Sequence, residues 1–226
     1  ESDLDRLIVN VIAAWAKVGE GKPQDGLDLL EKLGGPDWYA VFTSYHSALI
    51  ADAAGMKDKA DEAYAKTMDN VGGGTAAPDA YMRAGEAYAG FLARNNRKAD
   101  ALAILDRVDA FASNRLPISV LRDKVNKGEA ARPLVATPQE GAAETLLNLG
   151  TALNRGGGEP FVRLYLQLAL ALTPDNDIAL MHLAEVAELF AQVAGAAVEG
   201  REQGGLGGVD RQGVGAIFAD PVLARA

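Results

Sequence analysis

The hydrophobic positions of this chain recur at helical spacing, and turn-forming residues interrupt them at regular intervals. Between Ala143 and Asn176, Leu146, Leu149, Gly150 and Leu153 share one helical face. Val162, Leu166 and Ala169 share a second, at i, i+4 and i+7. The glycines of "NRGGGEP" lie between them, and Pro174 closes the segment. The pattern predicts two helices of about a dozen residues joined by a tight turn. Three upstream stretches carry the same pattern. "IVNVIAAWAKVGEGKPQDGLDLLEKL" places Ala14 before a turn at Gly21, then Gly26 and Leu30. "FTSYHSALIADAAGMKDKADEAYAKTM" places Ala48 before a turn at Gly55, then Ala60 and Tyr64. "MRAGEAYAGFLARNNRKADALAILDRV" places Tyr88, Ala89 and Leu92 before Asn96, then Ala101, Leu105 and Val108. Downstream, "DIALMHLAEVAELF" supplies Leu180, Leu183, Ala184 and Ala187, the first helix of a fifth unit.

The segment from Ala143 to Asn176 is 34 residues long. On that length, and on the small residues flanking each turn, the chain resembles tetratricopeptide-repeat proteins over about residues 2 to 190. Val162 departs from the alanine usual at its position. The stretch "RPLVATPQEGAAETL" is similar to one in alphaproteobacterial repeat proteins of unassigned role. The resemblance implies an all-α fold, a right-handed α-solenoid of helix-turn-helix repeats, from a bacterial cytoplasm or periplasm. Cap signals agree with it. Ser2 precedes Asp5 by three residues and Thr137 precedes Glu140 by three, both capping-box patterns. Pro138 falls at the favoured first helical position.

Three stretches break the period. "DNVGGGTAAPDAY" (69–81) adds about seven residues between units two and three. The segment 115–141 opens with a short helix carrying Ile118, Leu121 and Val125 on one face. It continues as an extended, proline-bearing stretch that is either a hinge or a strap, and apolar Leu134 and Val135 favour a docked strap. Beyond Phe190 glycine becomes dense and helical periodicity vanishes. The expected organisation is therefore repeats over 1–114, an extra helix and strap over 115–141, further repeats over 142–190, and an irregular glycine-rich tail over 191–226. That tail is read as a flexible terminus, a docked irregular segment or an altered former repeat; as a docked segment, "VGAIFA" would pair with or dock on the fifth unit's helix.

Composition narrows the function. Alanine and leucine dominate, which favours helix over strand. The net charge of −9 disfavours phosphate backbones and anionic lipid, so no nucleic-acid partner is expected. The longest dense apolar run, Leu164 to Leu172, falls far short of the about 20 residues that span a bilayer, so no membrane insertion is expected. The chain starts without Met, as a fragment or processed product would. Cysteine is absent, which removes disulfides and thiolate metal sites. His46 and His182 fall at equivalent positions of separate repeats, which reads as packing. No metal site, cofactor or catalytic group is expected, and the chain is not read as an enzyme.

Binding is the expected activity. In tetratricopeptide proteins certain first-helix positions face a concave groove. The resemblance maps these onto Ile8, Val11 and Trp15, then Phe42, Tyr45 and Leu49, then Arg83, Glu86 and Arg94. The fourth and fifth units supply Glu144, Leu147, Asn154 and Arg155, then Met181. A protein or peptide partner is expected there, anchored by aromatic and arginine side chains. Trp15, Ile8 and Val11 have a competing reading as core beneath an upstream repeat. The alternative function is structural self-assembly, a homo-oligomer formed through apolar end faces of the repeats.

Overall fold

A computed structural model describes residues 3–129, 131–153 and 159–188, and their regular structure is entirely helical. In chain order the helices are α1 (Asp3–Gly19), α2 (Pro23–Lys32), α3 (Tyr39–Ala53), α4 (Lys57–Asp69), α5 (Val71–Ala76), α6 (Pro78–Arg94), α7 (Lys98–Phe111), α8 (Leu116–Lys127), α9 (Pro138–Leu153) and α10 (Glu159–Leu172). An eleventh, α11, covers 177–188. Four pairs form hairpins: α1 with α2, α3 with α4, α6 with α7, and α9 with α10.

The first three hairpins turn in the same way. Gly21, Gly55 and Asn96 all take positive φ, at 76°, 71° and 62°. At each turn the next residue's N–H bonds back five residues: Lys22 to Lys17, Met56 to Ala51, and Arg97 to Leu92. This is the Schellman closure of a helix C-terminus, and it needs a left-handed residue that glycine or asparagine supplies without strain. Small residues let the paired helices approach. A Cβ on Gly26 would lie 2.7 Å from the carbonyl oxygen of Ala14. The equivalent Ala48, Ala60, Ala89 and Ala101 are all buried.

The stretch 69–81 is more regular than an insertion of glycines suggests. It holds α5, whose start is capped by Asn70 accepting from the Gly73 N–H at 2.9 Å. Helix α8 ends at Gly128 in a left-handed conformation, with the Glu129 N–H closing onto Lys124. Residues 131–137 form a non-helical strap, with Val135 buried in the core and Leu134 packed against it. At the start of α9 the Thr137 hydroxyl accepts from the Glu140 N–H, and the Glu140 carboxylate accepts from the Thr137 N–H. That is the expected capping box. The Ser2 cap, the turn at Gly157 and the tail 191–226 lie outside the described residues.

Stacking departs from a linear series of hairpins. In an open solenoid each repeat contacts only its sequence neighbours. Here α9 lies against α1, and also touches α3 and α6. The apolar side chains accordingly form two clusters. The larger spans α1 to α8 and the strap, and takes in Leu149 of α9. The smaller joins Ala143, Leu146 and Leu147 of α9 to Val162, Leu166 and Ala169 of α10 and to Ala179 and Val186 of α11, with Ile12 of α1 packed against it.

Candidate functional site

Helices α1, α3 and α6 line one side of the N-terminal block, and α9 is seated there. Leu7, Val11 and Trp15 follow a four-residue spacing along α1, which brings the Trp15 indole to the seat. Gly141 of α9 lies flat against that indole, since a Cβ at 141 would overlap the ring. The Trp15 Nε1–H donates to His46 Nδ1 at 3.1 Å. His46 is fully buried, and its Nε2 has no hydrogen-bond partner among the described residues. Burial pushes its pKa down to about 4, against the pull of the Glu144 charge.

Glu144 is the centre of the seat. It is 3% exposed, and one helical turn after Gly141 it points at α3 and α6. Arg83 grips it with two bonds, Nε to Oε1 at 3.0 Å and Nη2 to Oε2 at 2.6 Å. The Tyr45 hydroxyl donates to Oε1 at 2.9 Å. Asn148 Nδ2 adds a bond at 3.1 Å from the next turn of α9. The remaining Arg83 nitrogen reaches Glu86 at 3.2 Å. Burial alone would raise the Glu144 pKa. The charge and hydrogen bonds of Arg83, with that of Tyr45, outweigh it and hold the carboxyl below its ordinary range. Burial and then the Glu144 charge push the Tyr45 hydroxyl well up, so it stays a donor. Burial raises Glu86 despite its arginine neighbour.

The expected groove residues therefore separate into groups. Trp15, Tyr45, Arg83 and Glu86 converge on α9 of the same chain. Phe42 and Leu49 are buried in the N-terminal core, where Phe42 meets the Trp38 ring edge-on at 6.0 Å. Arg94 lies apart and pairs with Asp52 at 2.6 Å. Met181 is exposed on α11, and Asn154 and Arg155 lie outside the described residues. Trp15 and Val11 are covered, as a core reading of unit one expects, and Trp15 is covered by the chain's own α9.

His46 and Asn148 are members of the site that the sequence did not single out as such. The available signal was the stripe Gly141, Glu144, Thr145, Asn148 on α9, small or polar at i, i+3, i+4 and i+7 opposite an apolar face. Beside the ion pair, α6, α8, α9 and α11 enclose a space of about 20 Å³ lined by Arg83, Glu86, Arg115, Asn148 and His182. That has room for about one water molecule. An open cleft of about 280 Å³ follows between α6, α8 and the strap, lined by Glu86, Arg94, Lys124, Arg132 and Leu134.

Among the described residues no three His, Asp or Glu side chains are grouped to hold a metal ion. No helix among them is long and apolar enough to cross a membrane. What the arrangement does is hold a helix, by a buried bidentate ion pair and an aromatic platform. Compared with known protein families, curated proteins and solved structures, the chain finds no match.

Proposed function

We propose that this chain is a non-catalytic interaction module built from tetratricopeptide-like repeats, a scaffold or adaptor that binds a peptide or partner domain on the concave side of α1, α3 and α6. The observation that carries this reading is the seat itself. Its tyrosine, tryptophan and arginine are interface anchors by type; the tyrosine and arginine grip a helix through its carboxylate, and the tryptophan lies against its glycine. The cleft beside it extends the same side with Arg94, Lys124 and Arg132.

A displayed library of helical peptides, selected against the folded chain, tests the reading. Binders are expected, and Arg94→Ala should weaken them by tenfold or more, about 1.4 kcal/mol, beyond any loss of melting temperature. A library that yields no binder contradicts the reading. So does a set of groove substitutions that act only by unfolding the protein.

A second reading, self-assembly, is favoured by a specific surface. Phe161, Leu164, Leu168 and Leu172 form an exposed stripe along α10, between 41% and 60% accessible. Contiguous exposed apolar stripes are association surfaces by type. Light scattering over a concentration series decides it. Growth in mass that Leu164→Asp abolishes supports self-assembly, and a monomer at every concentration removes it.

A further inference from the structure

The two apolar clusters meet at a seam unlike either of them. On the α9 side the seam presents Gly141, Glu144, Thr145 and Asn148, with Leu149 and Ala152 joining the larger cluster and Ile12 of α1 reaching the smaller one. Glu144, Thr145, Asn148 and Thr151 are all buried polar residues. A buried ion pair contributes little net stability, because desolvating both partners offsets their attraction, but it fixes which surface fits. The N-terminal block, by contrast, also holds aromatic contacts between its own helices, Tyr64 with Tyr88 and Phe91. The described residues joining α8 to α9 are non-helical, so α9 can part from α1 without breaking a helix.

We infer that the α1/α3/α6 seat is a receptor for an acidic-centred helix, and that α9 is its built-in occupant, released together with α10 and α11 when such a helix replaces it. The inference rests on the interaction reading above and specifies the partner. The partner helix carries a glycine where it crosses Trp15, a carboxylate three residues later for Arg83 and Tyr45, and an amide or similarly small polar residue four residues after that. Any residue larger than glycine at the first position meets the indole. A neutral residue at the second removes both bidentate bonds of the largely buried Arg83 and leaves it with Glu86 alone.

The geometry also supplies a lock. An ideal Cβ on Gly19, at the end of α1, lies 3.7 Å from the Cβ of Pro138, at the start of α9. Disulfides join Cβ atoms about 3.5–4.5 Å apart, and the chain has no cysteine of its own. The variant Gly19→Cys/Pro138→Cys therefore closes the seat when oxidised and frees it when reduced.

The probe is a fluorescein-labelled synthetic peptide of residues 137–153, "TPQEGAAETLLNLGTAL", followed by anisotropy against the full chain. The tethered α9 competes at an effective concentration of about millimolar, so Gly141→Ala is added to weaken the occupant while the peptide keeps its glycine. The Gly141→Ala chain should bind the peptide at least tenfold more tightly than wild type. Oxidising the cysteine pair should weaken binding at least tenfold relative to the reduced form. The same peptide with Glu144→Gln should also bind at least tenfold more weakly. Equal binding to reduced and oxidised protein, indifference to the glutamate, or no binding by the reduced protein overturns the inference. Library-selected binders that still compete with one another would then leave the broader interaction reading standing.

Discussion

In the N-terminal block, α3 is buried along most of its length; in the C-terminal block, α9 buries an apolar face on one side and a polar stripe on the other. Tyr64 shows the first kind of packing. It is fully buried, stacks on Tyr88 at 5.3 Å and meets Phe91 at 5.6 Å. Glu144 shows the second: it is equally buried, yet its partners are Arg83 and Tyr45. One block is joined internally chiefly by area removed from water, and the other is docked with a directed charge pair at its centre. Area is indifferent to which apolar surface supplies it. A buried bidentate pair admits few partners and adds little net stability.

Substitutions on either side of the seam sharpen that contrast. The largest effect is expected from Tyr64→Ala, which opens a cavity in the aromatic core and should cost about 3–5 kcal/mol. Urea unfolding followed by circular dichroism should then show the N-terminal block itself lowered. Glu144→Ala breaks the bidentate pair and leaves Arg83 with Glu86 alone, at a cost of about 3 kcal/mol, the low end for a broken buried pair, with the loss confined to the docking of α9 to α11. The paired swap Arg83→Met with Glu144→Leu should recover stability to within about 1 kcal/mol of wild type or above it. A swap as damaging as the single change would mean that the ion pair contributes net stability and that the contrast is drawn wrongly.

Acid should act on the seam next. His46 titrates near pH 6.5 when unfolded and at about 4 when folded, because burial disfavours its charge. The unfolded chain therefore binds the proton first as pH falls. Stability is full above pH 6.5 and declines through the window down to about 4, by roughly 3 kcal/mol in all. Glu144 has the same sign at lower pH, since its folded pKa is depressed and protonation removes its hold on Arg83. The charge acting on His46 is Glu144 on α9, and the Trp15 indole of α1 and the Tyr45 ring of α3 lie against it. His46→Gln should flatten the upper part of the profile, measured as the urea midpoint between pH 7 and 4.5. The smallest effect is expected from Thr137→Ala, which removes the α9 cap at a cost of about 1 kcal/mol, visible in the same urea series.

Features carried by local sequence were legible. The turns at Gly21, Gly55 and Asn96 follow from one residue's φ and a short hydrogen-bond pattern, and Thr137 with Glu140 marked the start of α9. The strap docks as Leu134 and Val135 suggest. Helix α5 was hidden because "VGGG" has poor intrinsic propensity, and the Asn70 cap and neighbouring α6 supply what the residues lack. The return of α9 to α1 was not legible. Glu144 and Arg83 are 61 residues apart, and a polar stripe on a helix has the same spacing whether it meets water or a buried arginine. Trp15 and Tyr45 were marked as groove residues for the same reason: spacing gives the face, and only tertiary packing says what covers it.

Native-state hydrogen exchange on the unmodified chain tests the central claim most directly, because it reads the opening of each helix separately. The seam predicts that amides of α9, α10 and α11 exchange together, through an opening of lower free energy than that of α3, α4 and α6. Exchange of α9 only in step with α3 and α6, at the free energy of global unfolding, would contradict it.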